Sequence, residues 1–476
     1  MRPAAGQEPN PLIDKGGPVR CAGAPFGQGS RGCRTPGPAG EDFPATRHTA
    51  LPSVSLGIHS VTPMPRREPM PDDPSSSTAC IVGAGPAGLL LALLLGRAGH
   101  RVTVLERSPH IDLDRWAGAP VLQPVSLRIL EREGLLDQVR AGAGFIDSGE
   151  VRAPGQDVAR YAYQELPDAP VPYALTVPVT VLRGTLLRAL EELPGVDIRL
   201  GATVEDLPGA AGGRRELSVT DGQGTHRLSP DFIVGCDGKF SAVRELAGIP
   251  AEVFTYDRGY LDFVVPAPPG WGPRITMNFQ DDAYVLTMPY PGDRLIVVWI
   301  TAEERVDAAL AGSFARFAAE LTERAPELAD IFPAEVTALG WEGIPRRQVQ
   351  HHMVRPERWL DGNVLLIGDS AHAMHAFGGQ GLNTSLQDAV LAAEGIGRAV
   401  GADGSTTALE ELLRLRLPFV EGFQETQRRT LAPRPGEPAR RNADTLPDFL
   451  RMVLGQPELR HLWNGVPAGA PAGASR

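Results

Sequence analysis

The stretch IGDSAHAMHAFGGQGLN, residues 367–383, combines a carboxylate, two histidines and three closely spaced glycines. Asp369 follows an apolar run, so it stands at the carboxyl end of a predicted buried strand, where open α/β sheets bind their ligands. A carboxylate there can accept hydrogen bonds from ligand hydroxyl groups. A helix is predicted from Leu382 to Arg398, and its N-terminus would direct positive charge at a ligand. Between them lie glycines that would let main chain contact a flat ring: Gly378, Gly379 and Gly381.

A second glycine motif, GAGPAG at residues 83–88, follows a predicted strand and opens a predicted helix. Its glycines would allow a tight turn, the approach of backbone N–H groups to a pyrophosphate, and close packing of the helix on the strand. They are Gly83, Gly85 and Gly88. Glu106 ends the next predicted strand, where a carboxylate can accept both ribose hydroxyls of an adenosine. The motif predicts dinucleotide binding without distinguishing NAD from FAD.

The separation of the two motifs favours FAD. Asp369 lies more than 250 residues past GAGPAG, on another strand end. A carboxylate there can bind the ribityl arm, which extends beyond the pyrophosphate, whereas a nicotinamide ribose would not reach it. The flat ring is then an isoalloxazine, whose reduced form carries negative charge at the edge facing the helix N-terminus. The structural alternative is a glycine-rich turn before a core helix.

Together with VGCDGKFSAVR at residues 234–244, these motifs resemble in kind and order those of the class A flavoprotein monooxygenases, the para-hydroxybenzoate hydroxylase-like FAD hydroxylases. The resemblance covers residues 78–430. It implies an α/β fold in which a Rossmann-type FAD-binding domain carries an inserted, mostly antiparallel β-sheet substrate domain. It also implies that NAD(P)H binds transiently and reduces FAD, and that a C4a-hydroperoxyflavin formed with O2 hydroxylates an electron-rich aromatic ring.

The resemblance also assigns cofactor-binding residues. The middle motif, associated in the family with FAD and NAD(P)H, is carried here by Asp237, Gly238, Ser241 and Arg244. Arg183 in LRGTLLRAL resembles an arginine that the family places near the cofactor; a surface arginine is the alternative. Looser spacing implies further FAD contacts at Arg115 and Gln123. The third motif, residues 367–383, completes the predicted set with Gly368, Asp369, Gly379, Gly381, Leu382 and Asn383.

The third motif departs from the family pattern at Ala376, where a proline is usual. A main-chain carbonyl there can still accept a hydrogen bond beside the oxygen-reacting carbon of flavin, but the loop lacks the stiffness of proline. The predicted catalytic set is therefore His375, Ala376 and Tyr290. Two more histidines are candidates for substrate hydrogen bonding or phenol deprotonation: His351 and His352. No metal site is predicted, because His372 and His375 have no accompanying ligand set.

Four apolar runs that end in glycine or an acid are typical of strands buried in a parallel sheet. They are ACIVG (79–83), RVTVLE (101–106), DFIVGCDG (231–238) and NVLLIGD (363–369). A helix is predicted from Gly88 to Ala98. Alternation between Tyr260 and Ile300, with turn signals at QDDA and YPGD, predicts an antiparallel meander. One apolar helical face is predicted to carry Val306, Leu310, Phe314, Phe317 and Leu321.

These patterns divide the chain into four predicted parts. They are a disordered N-terminal extension (1–77), an FAD-binding domain (78–250 and 345–431), a substrate-binding domain (251–344) and a C-terminal tail (432–476) with a short helix around Phe449 to Leu454. Residues 1–69 are also open to interpretation as an over-extended start. The predicted lining of the substrate site is Phe263, Met277, Phe279, Tyr284, Met288, Tyr290 and Trp299.

Composition narrows the class of protein. Of the 476 residues, 42% are hydrophobic and 22% are charged, as is usual for soluble proteins, and no apolar run is long enough to span a membrane. The net charge of −11 argues against nucleic acid as a partner. Four cysteines without CxxC spacing argue against structural zinc or a dithiol redox centre. We expect a cytoplasmic monomer or homodimer whose partners are O2 and a small aromatic compound, as in secondary metabolism.

Three other functions stay open at this level. A flavin-dependent halogenase shares the fold, but GWEGIP at residues 340–345 lacks the halogenase WxWxIP pattern. A flavin-dependent reductase or dehydrogenase is a second alternative; the single GxGxxG and the absence of CxxC count against a disulfide reductase. A non-catalytic flavin-binding protein is the third, because Ala376 alters the loop expected to react with oxygen.

Overall fold

The computed structural model describes residues 78–113, 118–155, 157–166, 169–209, 214–280, 283–401, 405–432 and 455–464. Several expectations fall outside these residues: the N-terminal extension 1–77, Arg115, two residues of the QDDA turn, and the helix around Phe449 to Leu454.

The helices among the described residues are α1 (Pro86–Arg97), α2 (Pro124–Arg132), α3 (Leu136–Ala141), α4 (Val179–Glu191), α5 (Ala242–Leu246), α6 (Glu303–Ala311), α7 (Phe314–Arg324), α8 (Ala334–Thr337), α9 (Asp369–His372), α10 (Gly381–Gly401), α11 (Thr407–Leu431) and α12 (Arg460–Asn464). The strands are β1 (Thr78–Val82), β2 (Arg101–Glu106), β3 (Val121–Leu122), β4 (Gly144–Ile146), β5 (Ser148–Arg152), β6 (Ala159–Ala162), β7 (Ala174–Thr176), β8 (Val196–Leu200), β9 (Thr203–Asp206), β10 (Leu217–Asp221), β11 (Gly224–Leu228), β12 (Phe232–Gly235), β13 (Ala251–Pro266), β14 (Arg274–Phe279), β15 (Tyr284–Tyr290), β16 (Arg294–Ala302), β17 (Arg346–Pro356), β18 (Leu360–Asp361) and β19 (Val364–Leu366).

A six-stranded sheet contains all four predicted buried runs. Its strand order is β18-β19-β12-β1-β2-β8, and every neighbouring pair is parallel except β18 with β19. The chain therefore places the carboxyl ends of β1, β12 and β19, with the segments that follow them, at one edge of the sheet. The helix α1 packs against α4 and α10. This arrangement confirms the predicted α/β fold with a Rossmann-like parallel sheet.

A seven-stranded, mostly antiparallel sheet forms the second layer, in the order β17-β13-β16-β15-β14-β5-β6. Consecutive pairing holds for β14, β15 and β16, but β13 pairs with β16 and β17 rather than with β14. The strands β14, β15 and β16 thus form the expected meander, but β13 joins it at β16, on the side away from β14. The sheet also recruits β5, β6 and all of β17, so it extends beyond residues 251–344.

The predicted apolar helical face belongs to two helices rather than one. The helix α6 ends before Gly312, which is extended with ψ −174°, and Ser313 caps α7 by accepting a hydrogen bond at 3.3 Å from the backbone N–H of Arg316. Gly312 ends α6 because glycine has a low helix propensity, and Ser313 begins α7 because serine caps the N-terminus of a helix. The stripe is still buried on both sides of the break, at Val306, Phe314, Phe317 and Leu321.

Part of the predicted C-terminal tail packs on the core. Within residues 455–464, Leu459, Leu462 and Trp463 are buried, and α12 contacts α2 and α10. The Pro- and Gly-rich composition around this segment predicted a tail without packing. The burial of these three apolar side chains instead stabilises the docked helix. Among the described residues, no helix is both long and apolar enough to cross a membrane.

Replacement of Gly88 by alanine is expected to destabilise the fold. A Cβ at Gly88 would stand 2.2 Å from the carbonyl oxygen of Gly83, so α1 would have to move away from β1. Overpacking of this kind costs about 1–3 kcal/mol of unfolding free energy, which urea denaturation measures. Gly397→Ala is the matched control, because a Cβ at this helical position meets nothing within 4 Å. Equal effects of the two substitutions would contradict the steric argument.

Candidate active site

A cavity of about 720 Å³ is lined by residues that both sheets contribute. Its glycine half comes from the loops after β1, β12 and β19, including Gly85, Asp237, Gly238, Gly368 and Asp369. Its aromatic half comes mainly from the seven-stranded sheet and the residue that follows β6, including Tyr161, Tyr163, Tyr260, Met277, Tyr284 and Met288. The segment 373–379 contributes to the wall over most of its length, with Ala373, Met374, His375, Ala376, Gly378 and Gly379.

The three glycines of GAGPAG have different surroundings. A Cβ at Gly83, where φ is +109°, would stand 2.4 Å from the carbonyl oxygen of Cys236, and a Cβ at Gly88 would meet Gly83. A Cβ at Gly85 would meet no atom within 4 Å, and Gly85 lines the cavity. Two glycines therefore allow the loop to pack on its neighbours, and Gly85 leaves room for a ligand to reach the loop.

Glu106 lies beneath this loop. Its carboxylate accepts hydrogen bonds from the backbone N–H groups of Ala84 at 3.0 Å and Ser108 at 2.9 Å. The charge of Arg183 on α4 lies near Glu106 and Asp112, and burial lowers the pKa of its guanidinium. Neither Glu106 nor Arg183 lines the cavity, whereas Arg107, which the sequence analysis did not single out, does.

Asp369 is the first residue of α9 and lines the cavity. Its side chain is accessible to solvent from the cavity, but it lies deep in the protein and is surrounded by protein atoms. Burial raises the pKa of its carboxyl, and the charges of His372 and Lys239 oppose this shift. No described residue donates a hydrogen bond to this carboxylate. Its acceptor oxygens are therefore available to ligand hydroxyl groups, as the ribityl arm of FAD would require.

The middle motif links two loops of the site. Asp237 supports the start of α5, whose N-cap is Ser241: its carboxylate accepts hydrogen bonds from the Ser241 hydroxyl at 2.6 Å and the backbone N–H of Val243 at 3.0 Å. Burial raises the pKa of Asp237. Arg244 is directed away from the cavity wall: its guanidinium donates to the carbonyl oxygens of Ser370 at 2.8 Å and Lys239 at 3.0 Å. It joins the middle motif to the third motif.

Asn383 fixes the other end of the third motif. Its side-chain amide donates to the carbonyl oxygens of Gly379 and Val121, each at 2.8 Å. Its Oδ1 accepts from the backbone N–H of Gln123 at 2.9 Å and the Ser126 hydroxyl at 2.6 Å. Asn383 thus acts through its neighbours, and it holds Gln123 at the cavity wall. Gly381 and Leu382 open α10 there, where first-turn N–H groups have no acceptor within the helix.

A buried carboxylate that sequence reasoning missed holds the start of the third motif. Asp388 on α10 accepts hydrogen bonds from Arg416 Nε at 3.0 Å and the backbone N–H of Gly368 at 3.2 Å, and it also bonds to His372 Nε2. These partners keep the pKa of Asp388 low against the effect of burial. His372 is therefore a partner of Asp388. The described residues contain no group of three or more side chains placed to bind a metal ion.

The imidazole rings of His375 and His351 are in contact at the wall, with centroids 4.5 Å apart and planes tilted by 37°. His375 Nδ1 accepts from the backbone N–H of Phe377 at 3.0 Å, which places the proton of the neutral imidazole on Nε2. Burial lowers the pKa of His375 well below its usual value and that of His351 to about 3. The carbonyl of Ala376 accepts from the Gly379 N–H at 2.8 Å. Both imidazoles are uncharged near neutral pH.

The predicted substrate lining divides between the two faces of the seven-stranded sheet. Met277, Tyr284 and Met288 line the cavity. Phe263 and Trp299 pack on the other face against the aromatic side chains of α7. Tyr290 is outside the lining, where the Arg294 guanidinium lies 4.9 Å from its ring centroid. Alternation along the strands decides which face a side chain occupies, and the sequence alone does not show which of the two faces borders the cavity.

The wall also contains Arg347, paired at 2.5 Å with the buried carboxylate of Asp262.

The residues at the glycine half fit FAD. Gly85 leaves space beside a helix N-terminus for a pyrophosphate, Asp369 offers open acceptors for a polyol, and the start of α10 offers N–H groups to a ring edge. Comparison with known proteins gives the same result. Residues 76–426 match the model of a family described as an FAD binding domain.

Two characterised relatives and one solved structure extend the comparison. Protoasukamycin 4-monooxygenase of Streptomyces nodosus subsp. asukaensis is 30% identical, covering 73% of this chain and 86% of the relative. The 6-methylpretetramide 4-monooxygenase of Streptomyces rimosus is 31% identical, covering 75% of this chain and 84% of the relative. The structure of Pseudomonas aeruginosa PqsL in complex with 2-aminobenzoylacetate has a similar fold, with TM-score 0.67, 23% identity, and coverage of 79% of this chain and 99% of PqsL. The chain therefore belongs to the FAD binding domain family, and it is an FAD-dependent monooxygenase of the class A flavoprotein type.

Proposed function

We propose that this protein uses NAD(P)H and O2 to hydroxylate a phenolic or polyketide-like aromatic small molecule. The observation that carries the proposal is the single cavity that joins the glycine half to the aromatic half along segment 373–379. A ring bound in the aromatic half would lie next to the same loop that borders the flavin. The relatives named for protoasukamycin and 6-methylpretetramide support an aromatic or polyketide substrate.

The residues that would hold FAD follow from their positions. Backbone N–H groups around Gly85 would bind the pyrophosphate, Asp369 would accept from the ribityl hydroxyls, and Gly379, Gly381 and Leu382 would border the ring. When bound, FAD supplies the hydride acceptance and oxygen chemistry. Glu106 shapes the loop after β1. Gly83 and Gly88 allow that loop to pack, and Arg244 and Asn383 hold the loops that contact the cofactor.

The aromatic half would orient the substrate and exclude water. Tyr163 donates a hydrogen bond to Gln123 Oε1 at 3.0 Å, and burial raises the pKa of its hydroxyl far above the usual value, so it stays protonated. The imidazoles of His351 and His375 are uncharged, and Arg347 is neutralised by Asp262. The wall therefore offers hydrogen-bonding groups and apolar contacts, without a net charge from these residues, and this favours an uncharged aromatic ring there.

The halogenase alternative has no support at the cavity. Trp341 of GWEGIP is buried in the aromatic core on the other face of the seven-stranded sheet, 4.8 Å between ring centroids from Phe314. Residues 340–345 do not line the cavity. This stretch is explained by packing.

The direct test is a coupled assay. The purified protein is expected to carry bound flavin, and a panel of phenols, naphthols and tetracyclic polyketides is expected to include compounds that accelerate NAD(P)H oxidation and gain one oxygen atom from 18O2. Mass spectrometry detects the added atom. Accelerated NAD(P)H oxidation without oxygen incorporation for every compound would instead support a reductase or dehydrogenase.

Asp369→Asn is expected to weaken FAD binding by about 10- to 100-fold, because charge-assisted hydrogen bonds to the ribityl hydroxyls become neutral ones. Quenching of flavin fluorescence on titration into apoprotein measures the dissociation constant. Asp257→Asn is the matched control, since this exposed carboxylate is outside the cavity lining. Unchanged affinity in Asp369→Asn would remove Asp369 from the FAD site.

His351 should make stability depend on pH in acid. Burial, with the charges of Lys239 and Arg347, lowers its pKa from 6.5 to about 3, so the unfolded chain binds a proton that the folded protein does not. Its contribution to stability is complete above pH 6.5 and is lost as the pH falls toward 3. His351→Gln should therefore flatten the decline in unfolding free energy over this interval, as measured by urea denaturation at several pH values. A variant with the wild-type slope would show that His351 is protonated in the folded protein.

A further inference from the structure

Two buried glutamines of α11 bind the main chain of the loop that forms the cavity wall. Gln424 and Gln427 are three residues apart, so they share one face of the helix, and each is only 1% exposed. Neither lines the cavity. They lie behind the wall, on the side away from any ligand.

The hydrogen bonds of this pair follow alternate residues of the segment. Gln424 Nε2 donates to the carbonyl oxygen of Ala373 at 3.0 Å, and Gln427 Nε2 donates to those of His375 at 2.8 Å and Phe377. Gln424 Nε2 also donates to the carbonyl oxygen of Val354 on β17 at 2.9 Å. One helix thus holds both the loop and the strand that carries His351.

The ends of the segment have other donors, because the Ala373 carbonyl also accepts from the backbone N–H of Val354 at 3.0 Å and the Gly379 carbonyl accepts from Asn383 at 2.8 Å, but its middle depends on Gln427. The carbonyls of His375 and Phe377 have no other donor among the described residues, and a buried carbonyl without a donor is costly. On its cavity side, the Phe377 ring packs on Tyr284, with centroids 5.4 Å apart. Gln427 therefore fixes the two carbonyls on either side of Ala376, and with them how far Ala376 and Gly378 project toward both halves of the cavity.

We propose that Gln427, assisted by Gln424, is a positioning residue that sets the distance between the flavin loop and the substrate face and so couples NAD(P)H oxidation to hydroxylation. The inference rests on the proposed function. In the coupled reaction, NAD(P)H, a proton, O2 and the aromatic compound give NAD(P)+, water and the hydroxylated product. A displaced loop admits water, and the same electrons then reduce O2 to H2O2, with NAD(P)H, a proton and O2 giving NAD(P)+ and H2O2.

Gln427→Met tests this, because methionine has similar volume and no N–H donor. Gln456→Met is the matched control: Gln456 is 4% exposed and donates at 2.8 Å to the carbonyl oxygen of Leu415, on the same helix but away from the loop. Hydroxylated product and H2O2 are measured per NAD(P)H consumed, in the FAD-loaded proteins at saturating substrate. We expect the hydroxylation rate of Gln427→Met to fall by about 10- to 100-fold while H2O2 accounts for most of the NAD(P)H, and Gln456→Met to couple like wild type at a similar melting temperature.

Hydrogen exchange gives a readout that needs no substrate. Amides of residues 373–379 should exchange about 5- to 10-fold faster in Gln427→Met than in wild type and at the wild-type rate in Gln456→Met. Unchanged exchange in Gln427→Met overturns the positioning role, as does equal uncoupling in both variants, which would reflect general destabilisation. If wild type hydroxylates nothing in the panel, the proposed function fails, and the exchange experiment still decides whether Gln427 holds the loop.

Discussion

The third motif depends on one constraint: one side of its backbone must be left open for a ligand, while the main-chain N–H and C=O groups on the other side must have hydrogen-bond partners. Buried main-chain groups are costly when they have no partner, so the protein supplies side-chain partners from behind. Asp388 accepts from Gly368 at the start of the segment, Gln427 donates to carbonyls in its middle, and Asn383 donates to Gly379 at its end. Each of these side chains is buried.

The residues that shape the site and the residues that would contact the ligand are therefore largely different. Gly85, Asp369 and Gly379 face the cavity and leave room or acceptors there. Asp388 and Arg416 are completely enclosed: Asp388 accepts from the backbone N–H of Gly368, next to Asp369, and Arg416 donates to Asp388. Such a buried ion pair adds little net stability compared with an apolar core, but it fixes where the loop begins. Rigid placement of this kind is what a cofactor-dependent reaction requires of its protein.

The two sheets meet at segment 373–379, and this explains how one chain can bind both a cofactor and a substrate. The carboxyl ends of β1, β12 and β19 lie at one edge of the parallel sheet, where a ligand can contact several loops at once. The antiparallel sheet contributes one face to the cavity and the opposite face to an aromatic core around Phe263 and Trp341. Because the faces alternate along each strand, substitutions on neighbouring residues should affect different properties.

The sequence by itself determined the glycine motifs, the parallel sheet and the place of Asp369, because these depend on local spacing: a buried strand, a turn that requires glycine, and the helix that follows. The tertiary structure decided what local spacing does not encode. It brought Asn383 to Val121 and Gln427 to His375, split the apolar stripe at Gly312, and docked Trp463 on the core. It also left Tyr290 outside the cavity lining and brought His351 to His375. These contacts join residues distant in the chain, so their partners become visible only when the chain has folded.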